Sequence, residues 1–410
     1  MFYRSTLALG IVLALLTACG PAAVSSVPVE SSGLAAATLG NAAGAVSAQA
    51  SPTPQFQFPP PAPNQTPGPN VVAPSPTDDQ TPPPPIQMAP SPGAPPLTGG
   101  DHIVRTVDPT IAGSAQGLLA YVVNRSSNNV TVVDLAGSQV RGTIPVGQNP
   151  QEVTAAPDGS RVFVANQDDN SVSAIDVASG QVAATWQGAQ APLDVAVAPG
   201  GNALWVSSPA SGDIVIYSLP DGAQTGRISV GPGVALLDFS RDGQRAYATN
   251  RDAGALVVID PAARAVIATV PTDAGAEGLA VSPDGHWVYV ANRNASNVSI
   301  VDATTNQVAA TIATAPQPRR VVFSADGAYA YVSHNEDSRI SVIDTNRQAI
   351  AGTLFLDHPA LGLALSPDGT RLYAAQVSAN AIQALDAATS FDLGTVQVGN
   401  SPDSLVVLHR

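Results

Sequence analysis

The stretch that decides the fold runs over residues 153–187 and reads VTAAPDGSRVFVANQDDNSVSAIDVASGQVAATWQ. It contains four short runs of β-branched, aromatic and small residues, at 153–156, 161–166, 171–176 and 181–186, with turn-forming residues between them. Runs of this length and spacing predict β-strands and leave no room for a helix. The stretch therefore predicts one four-stranded antiparallel unit.

This unit recurs at a fixed interval of 42 residues without any insertion. An antiparallel four-stranded unit that repeats every 40–45 residues is typical of a propeller blade, which buries both faces against its neighbours. The repeats predict an all-β protein, a seven-bladed β-propeller over residues 118–410. A column of aromatic residues marks the copies and is interpreted as inter-blade core: Tyr121, Phe163, Trp205, Tyr247, Tyr289, Tyr331 and Tyr373.

The turns between the strands show the same regularity. Pro157-Asp158-Gly159 and its copies supply a proline for the first turn corner and a glycine for positive φ. In a second column a short carboxylate is expected to accept hydrogen bonds from nearby backbone amides and so close the next hairpin. That column comprises Asp134, Asp176, Ser218, Asp260, Asp302, Asp344 and Asp386. Both features are interpreted as structural.

These repeats resemble the YVTN-type β-propeller family, whose repeat runs YVxN, VxVID, PVGxxPxG and VAxSPDG. Clear matches are the segments IPVGQNP at 144–150 and VSPDG at 281–285, and the resemblance covers residues 118–408. It implies the propeller fold and leaves the function open. Propellers of this superfamily resemble lactonases, streptogramin lyases, and the propeller subunits of amine dehydrogenases and d1-haem reductases.

Two segments could complete the first blade. Residues 405–408 and residues 111–117 both lie in register with the innermost strands near 153, 195, 237, 279, 321 and 363. The segment 111–117 is rich in Gly and Ala, which are poor strand formers. We therefore predict that the C-terminal strand closes the first blade.

The N-terminal residues have the features of a bacterial export signal. Arg4 precedes an apolar run over 7–16 that is too short to span a membrane. The sequence Leu-Thr-Ala-Cys-Gly at 16–20 resembles a lipobox, so we predict a lipoprotein signal peptide over 1–18 and a lipid-modified Cys19. The alternative is an ordinary signal peptide with an incidental Cys. Cys19 is the only Cys in 410 residues, which excludes disulfides and cysteine-based metal, haem or iron–sulfur sites.

Composition divides the rest of the chain. Residues 20–100 contain 20 of the 37 prolines and only three charged residues, so we predict a disordered, partly polyproline-like tether over 19–100. A ligand for a proline-reading partner is the alternative. A lead-in segment over 101–117 follows. Residues 101–410 carry 16 Arg, no Lys and 28 acidic residues, a net charge of −12. This charge argues against nucleic acid and against direct docking on anionic lipid.

The variable face of the propeller, opposite the Asp-Gly hairpins, is the predicted place of function. Arg319, Arg320, His334 and His358 form a candidate cationic patch for an anionic ligand or a carboxylate. A solvated, charge-balanced rim is the preferred alternative. A calcium ion held by Glu152, Asp194 and Glu277 at the channel mouth is a further hypothesis. The full set of candidates is Glu152, Asp194, Glu277, Arg319, Arg320, His334, His358 and Asp403.

Motifs for catalysis are missing from the sequence: it has no GxSxG elbow, HExxH helix, haem attachment or phosphate-cradling loop. We predict a monomeric binding scaffold, anchored by lipid in the cell membrane or outer membrane, which faces the periplasm or the exterior. Residue 20, directly after the lipid-modified Cys, is Gly and not the Asp that retains lipoproteins at the inner membrane. In a host with two membranes, this favours the outer membrane. The expected partner is an envelope protein, peptide or glycan. Alternatives are a metal-dependent hydrolase, a lactonase-like or lyase-like enzyme with its site at the channel mouth, and a structural envelope or surface-layer component.

Overall fold

A computed structural model describes residues 117–409 and shows seven four-stranded antiparallel sheets, which confirms the predicted all-β, seven-bladed propeller. This range contains 28 strands and one short 3-10 helix, Arg125–Ser127. None of its helices is long and apolar enough to cross a membrane. The predicted signal peptide, lipid-modified Cys19, tether and residues 101–116 lie outside the described residues.

Each blade runs from an innermost strand at the channel to an outermost strand at the rim. Blade 1 comprises β28 (Pro402–His409), β1 (Leu118–Asn124), β2 (Asn129–Asp134) and β3 (Gln139–Pro145). Blade 2 comprises β4 (Pro150–Ala155), β5 (Arg161–Asn166), β6 (Ser171–Asp176) and β7 (Gln181–Gln187). Blade 3 comprises β8 (Val195–Val197), β9 (Ala203–Ser208), β10 (Asp213–Ser218) and β11 (Gln224–Ser229). Blade 4 comprises β12 (Val234–Phe239), β13 (Ala246–Asn250), β14 (Ala255–Asp260) and β15 (Ala265–Pro271).

The remaining blades follow the same order. Blade 5 comprises β16 (Ala276–Val281), β17 (Trp287–Asn292), β18 (Asn297–Asp302) and β19 (Gln307–Ala313). Blade 6 comprises β20 (Pro318–Phe323), β21 (Tyr329–His334), β22 (Arg339–Asp344) and β23 (Ala349–Phe355). Blade 7 comprises β24 (Leu363–Leu365), β25 (Arg371–Gln376), β26 (Ala381–Asp386) and β27 (Asp392–Gln397).

The C-terminal strand closes the ring, as predicted. β28 pairs antiparallel with β1 over Leu118↔His409 to Val122↔Leu405, and a bulge precedes the pair Asn124↔Pro402. Each innermost strand contacts that of the next blade, and β24 contacts β28, so the seven strands surround the channel completely. Both ends of the described chain are thereby held in a single sheet.

The core lies between the blades. All seven residues of the aromatic column are at most 3% exposed, which confirms their predicted role in packing. Tyr289 of blade 5, for example, belongs to a cluster with Val321 and Ala330 of blade 6. Burial of both sheet faces explains why the central strands are almost continuously apolar.

The turn columns have the predicted structural role. Asp158 accepts a hydrogen bond from the backbone amide of Ser160 at 2.9 Å, and Gly159 has a φ of 68°. Asp302 accepts bonds from the amides of Thr304 and Thr305 at 2.7 and 2.8 Å, and these bonds lower the pKa of its carboxyl group. These hairpins define one face of the ring, and the loops after the aromatic strands define the other.

Candidate functional site

The channel mouth on the loop-rich face is built from two adjacent repeat positions on each innermost strand. Because the repeat length is constant, residue 151 and its copies lie at one position of the ring, and residue 152 and its copies lie at the next. Six of the eight predicted site residues occupy these positions: Glu152 in β4, Asp194 before β8, Glu277 in β16, Arg319 and Arg320 in β20, and Asp403 in β28.

Arg319 joins three blades through two buried carboxylates. Its Nη1 donates to Glu277 Oε1 at 2.5 Å, and its Nη2 donates to Asp403 Oδ1 at 3.3 Å. The side chains of Glu277 and Asp403 are 4% and 1% exposed. Burial by itself would lower the pKa of Arg319, but the charges of Asp403 and Glu277 outweigh burial and raise that pKa. The cation is thus fixed between blades 5, 6 and 1.

Arg320 pairs with Glu152 on the other side of the ring. Its Nη2 contacts Glu152 Oε1, and Ser404 Oγ donates to Glu152 Oε2 at 2.6 Å. Burial lowers the pKa of Arg320 to about 10, although Asp403 acts in the opposite direction. Arg320 therefore stays protonated at neutral pH. This pair joins blades 6, 2 and 1 across the channel.

Asp194 has a different environment from the other carboxylates. Its Oδ2 accepts a hydrogen bond from the backbone amide of Leu237 in the next blade at 2.6 Å. Asp238 lies in the next blade, two residues after the position equivalent to Asp194. Its Oδ2 accepts a hydrogen bond from the backbone amide of Val281 at 2.9 Å. Burial, with a smaller contribution from the charge of Asp238, raises the pKa of Asp194 to about 7. Burial also raises the pKa of Asp238 to about 6.

The residues of the calcium hypothesis do not fit a calcium ion. Glu277 and Glu152 form ion pairs with arginines, and Asp194 accepts a hydrogen bond from a backbone amide. Calcium requires six or more converging oxygen atoms. Within residues 117–409, no group of three or more His, Cys, Asp or Glu side chains could hold a metal ion. Calcium remains an untested prediction for which this arrangement provides no ligand set.

The two candidate histidines are not part of a cationic patch with the arginines. His334 is fully buried, with its Nδ1 3.1 Å from Pro316 O and its Nε2 2.9 Å from Ser341 Oγ. Burial lowers the pKa of His334 to about 4, so the ring is neutral at pH 7. His358 is exposed in the loop between β23 and β24, where its carbonyl accepts a bond from Gln376 Nε2 at 3.3 Å.

Three arginines that the sequence analysis missed also stand at the mouth. Arg125 Nη1 lies 3.4 Å from Asp403 Oδ2, and Arg293 Nη1 lies 3.6 Å from Glu277 Oε2. Arg251 Nη1 lies 3.9 Å from Glu277 Oε1. Each side chain is about one third exposed. A signal was available, because all three occupy the repeat position directly after the aromatic strand, where the other blades carry Gln167, Pro209, Asn335 and Val377.

The mouth therefore presents five arginines around three buried carboxylates. Glu277 and Asp403 are each shared by more than one guanidinium group, so the arginines exceed the acids that they contact. Guanidinium groups bind carboxylates and phosphates through paired, charge-assisted hydrogen bonds. The arrangement can recognise an anionic group that approaches from solvent. Its own carboxylates already serve as partners of cations.

Comparison with known proteins agrees with this architecture. The family described as a seven-bladed lactonase β-propeller matches residues 108–199 and 245–354 of this chain. The resemblance to seven-bladed repeat propellers is thereby confirmed. A search of the curated proteins finds no match.

Several solved structures share the fold. Hydrazine synthase of Kuenenia stuttgartiensis is 21% identical with a TM-score of 0.57, over 64% of this chain and 95% of that chain. Dihydro-heme d1 dehydrogenase is 18% identical with a TM-score of 0.55, over 70% and 74%. A candidate 6-phosphogluconolactonase from Bacteroides uniformis is 18% identical with a TM-score of 0.60, over 72% and 100%. At these identities the likeness concerns the fold alone.

Proposed function

We propose that this protein is a lipid-anchored binding domain that works outside the cytoplasm and recognises its partner through the arginine-lined mouth of the propeller. The observation that carries the proposal is a set of arginines about one third exposed, Arg125, Arg251 and Arg293, around carboxylates that already contact cations. Arginine is enriched at recognition surfaces because one side chain offers several directed donors. The partner is an envelope protein, peptide or glycan that presents an anionic group.

The anchor and the tether belong to the same proposal. A lipid on Cys19 would hold the chain at a membrane, and the tether predicted over 19–100 would let the propeller reach partners away from the bilayer. Metabolic labelling with a fatty acid tests this directly. We expect labelling of the wild-type protein and its loss in Cys19→Ala. Labelling that persists in the variant would contradict the anchor.

In-cell cross-linking tests the role of the mouth. The double variant Arg251→Gln/Arg293→Gln should lose the cross-linked partners of the wild-type protein. A matched control is Arg241→Gln/Arg245→Gln, which removes two positive charges from the hairpin between β12 and β13 on the opposite face. The control should keep the same partners. Equal cross-links in both variants would assign the interaction to another surface.

A lactonase-like enzyme is the second candidate, and the match to the lactonase propeller family favours it. It predicts hydrolysis of lactones by the purified protein, with a site at the same mouth. Hydrolysis is measured with and without EDTA, together with metal analysis. Activity that Arg251→Gln/Arg293→Gln abolishes would establish this candidate. Activity that EDTA also removes would establish the metal-dependent form. A structural envelope component would show neither lactone hydrolysis nor mouth-dependent cross-links.

A further inference from the structure

A cavity of about 440 Å³ opens at the mouth between blades 3, 4 and 5. Its charged lining consists of Arg251, Arg293, Asp252 and Glu277, and Gly233 and Gly275 form part of its wall. Cavities of this size hold small organic molecules. The cavity therefore has the volume and the charges of a ligand site, and its chemistry follows from the arginines.

Arg251 lacks the partner that its equivalents have. Arg125 Nε lies 3.4 Å from Asn149 Oδ1 of the next blade, and Arg293 Nε and Nη2 each lie 3.2 Å from Gln317 Oε1 of the next blade. The equivalent residue for Arg251 is Gly275. Among the described residues the Arg251 guanidinium makes no hydrogen bond, since its 3.9 Å contact with Glu277 is too long for one.

Residue 275 also differs from its equivalents in how the wall of the cavity is packed. Asn149 and Gln317 have φ values of 50° and 52°, so this left-handed position accepts residues other than glycine. Their side chains fill the equivalent space in their own blades; Asn149 Nδ2, for example, donates to Asp168 Oδ1 at 3.1 Å. At Gly275 a Cβ atom would lie 2.8 Å from the Asn294 Cγ atom. Asn294 therefore packs directly against residue 275, and this part of the cavity wall is a local departure from the repeat.

A buried acceptor faces the same arginines. Glu277 is 3% exposed, and its Oε1 atom is bound by Arg319. Its Oε2 atom accepts no hydrogen bond among residues 117–409, and its nearest cation, Arg293 Nη1, lies 3.6 Å away, too far for one. A buried acceptor without a donor is costly. A ligand that places a donor next to Glu277 Oε2 would remove this cost. The cavity therefore calls for an acceptor group at Arg251 and a donor group at Glu277.

We propose that this cavity binds a free α-amino acid, with its carboxylate on Arg251 and Arg293 and its ammonium group on Glu277 and Asp252. Two guanidinium groups and two carboxylates line one small space, so a ligand with both charges satisfies more of them than a simple anion does. This inference rests on the proposed role of the mouth in binding, and it adds a small ligand to the macromolecular partner proposed above.

Isothermal titration calorimetry of the purified full-length protein with each of the proteinogenic L-amino acids and their D-enantiomers tests the proposal. At least one is expected to bind saturably. Its N-acetyl derivative, which lacks the ammonium group, and its amide, which lacks the carboxylate, should each bind at least tenfold more weakly. Absence of binding by every amino acid would overturn the proposal. Equal binding of the N-acetyl derivative would overturn it in favour of a simple anion site.

Variants locate the site. Arg251→Gln should weaken binding at least tenfold, and Arg251→Lys, which keeps the charge but loses the paired donors, should weaken it to a smaller degree. The control Arg241→Gln should bind like the wild type. Unchanged affinity in a folded Arg251→Gln protein would overturn the assignment. Cross-links that depend on the mouth, combined with no amino-acid binding, would refute this inference alone and leave the proposed function intact.

Discussion

His334 should make the propeller sensitive to acid, and His334→Asn should remove that sensitivity. The pKa of His334 is lowered from 6.5 to about 4 because the ring is buried. A histidine with a lowered folded-state pKa contributes stability above the unfolded-state pKa, and this contribution is lost as the pH falls from about 6.5 towards 4. One pKa unit corresponds to about 1.4 kcal/mol. At pH 4.5 the loss relative to pH 7.5 is therefore about 2.5 kcal/mol in the free energy of unfolding.

Asparagine is the natural replacement, because the repeat carries it at the same position in other blades. Asn292 Nδ2 donates to Ser299 Oγ at 2.8 Å, and Asn166 Nδ2 donates to Ser173 Oγ at 2.9 Å. In His334→Asn the amide can donate to Ser341 Oγ in the same way. The new side chain is smaller, so the variant carries a packing cost that does not depend on pH.

Urea denaturation followed by tryptophan fluorescence measures the effect, since all three Trp residues lie in the propeller. The difference in the free energy of unfolding between wild type and variant is measured at pH 7.5 and at pH 4.5. Other acid-sensitive groups are present in both proteins, so their contributions cancel in this difference. We expect the difference to shift by about 2.5 kcal/mol in favour of the variant at the lower pH. A difference that is the same at both pH values would refute a buried, neutral His334.

Three further perturbations test the ring. Deletion of residues 403–410 should sharply lower the melting temperature, because it removes most of β28 and the Asp403 partner of Arg319. Deletion of residue 410 alone should leave the melting temperature unchanged. An unchanged melting temperature in the longer deletion would contradict the closure. Asp194→Asn should stabilise the protein at pH 8.5 and change its stability little at pH 4. The reason is that the pKa of Asp194 is raised in the folded state, so the wild-type protein loses stability as the pH rises through about 7. Urea midpoints at both pH values check the sign. Gly278→Ala should lower the free energy of unfolding by about 1–3 kcal/mol, because its Cβ would contact the carbonyl oxygen of Arg319. The control is Gly142→Ala, whose Cβ meets no atom within 4 Å. Similar urea midpoints for the two variants would refute tight packing of β16 against β20.

The blade architecture could be predicted from the sequence because it depends on local and periodic information. Strand positions follow from short apolar runs and turn residues, and a period of 42 fixes the number of blades. The predicted strands at 161–166 and 171–176 match β5 and β6 at both ends. The aromatic column, the hairpin carboxylates and the C-terminal closure follow from the same register. The two columns occur in all seven repeats, so seven copies support one conclusion.

The sequence could locate the residues of the mouth but could not predict their contacts. The register predicted Glu152, Glu277, Arg319 and Asp403 at the mouth, one or two residues before the innermost strands. In the structure they lie at the mouth but within these strands, which begin earlier than predicted. The sequence could not show that Arg319 reaches a residue 84 positions away, because that distance depends on closure of the ring and on side-chain direction. Arg319 and Arg320 are paired with carboxylates, as the preferred interpretation of a charge-balanced rim expects, but these pairs are buried and not solvated. With Arg125, Arg251 and Arg293, the mouth carries more arginines than the carboxylates they contact.

The sequence by itself determined the number of blades, their strands, their core and the face on which the loops gather, because backbone pairing and hydrophobic burial repeat with the chain. Only the tertiary structure decided which charges are paired, that His334 is buried and neutral, and that Arg251 stands beside a cavity without the partner that Arg293 has. These properties arise where side chains from different blades meet around one channel. Their distances are set by ring closure, which no single repeat encodes.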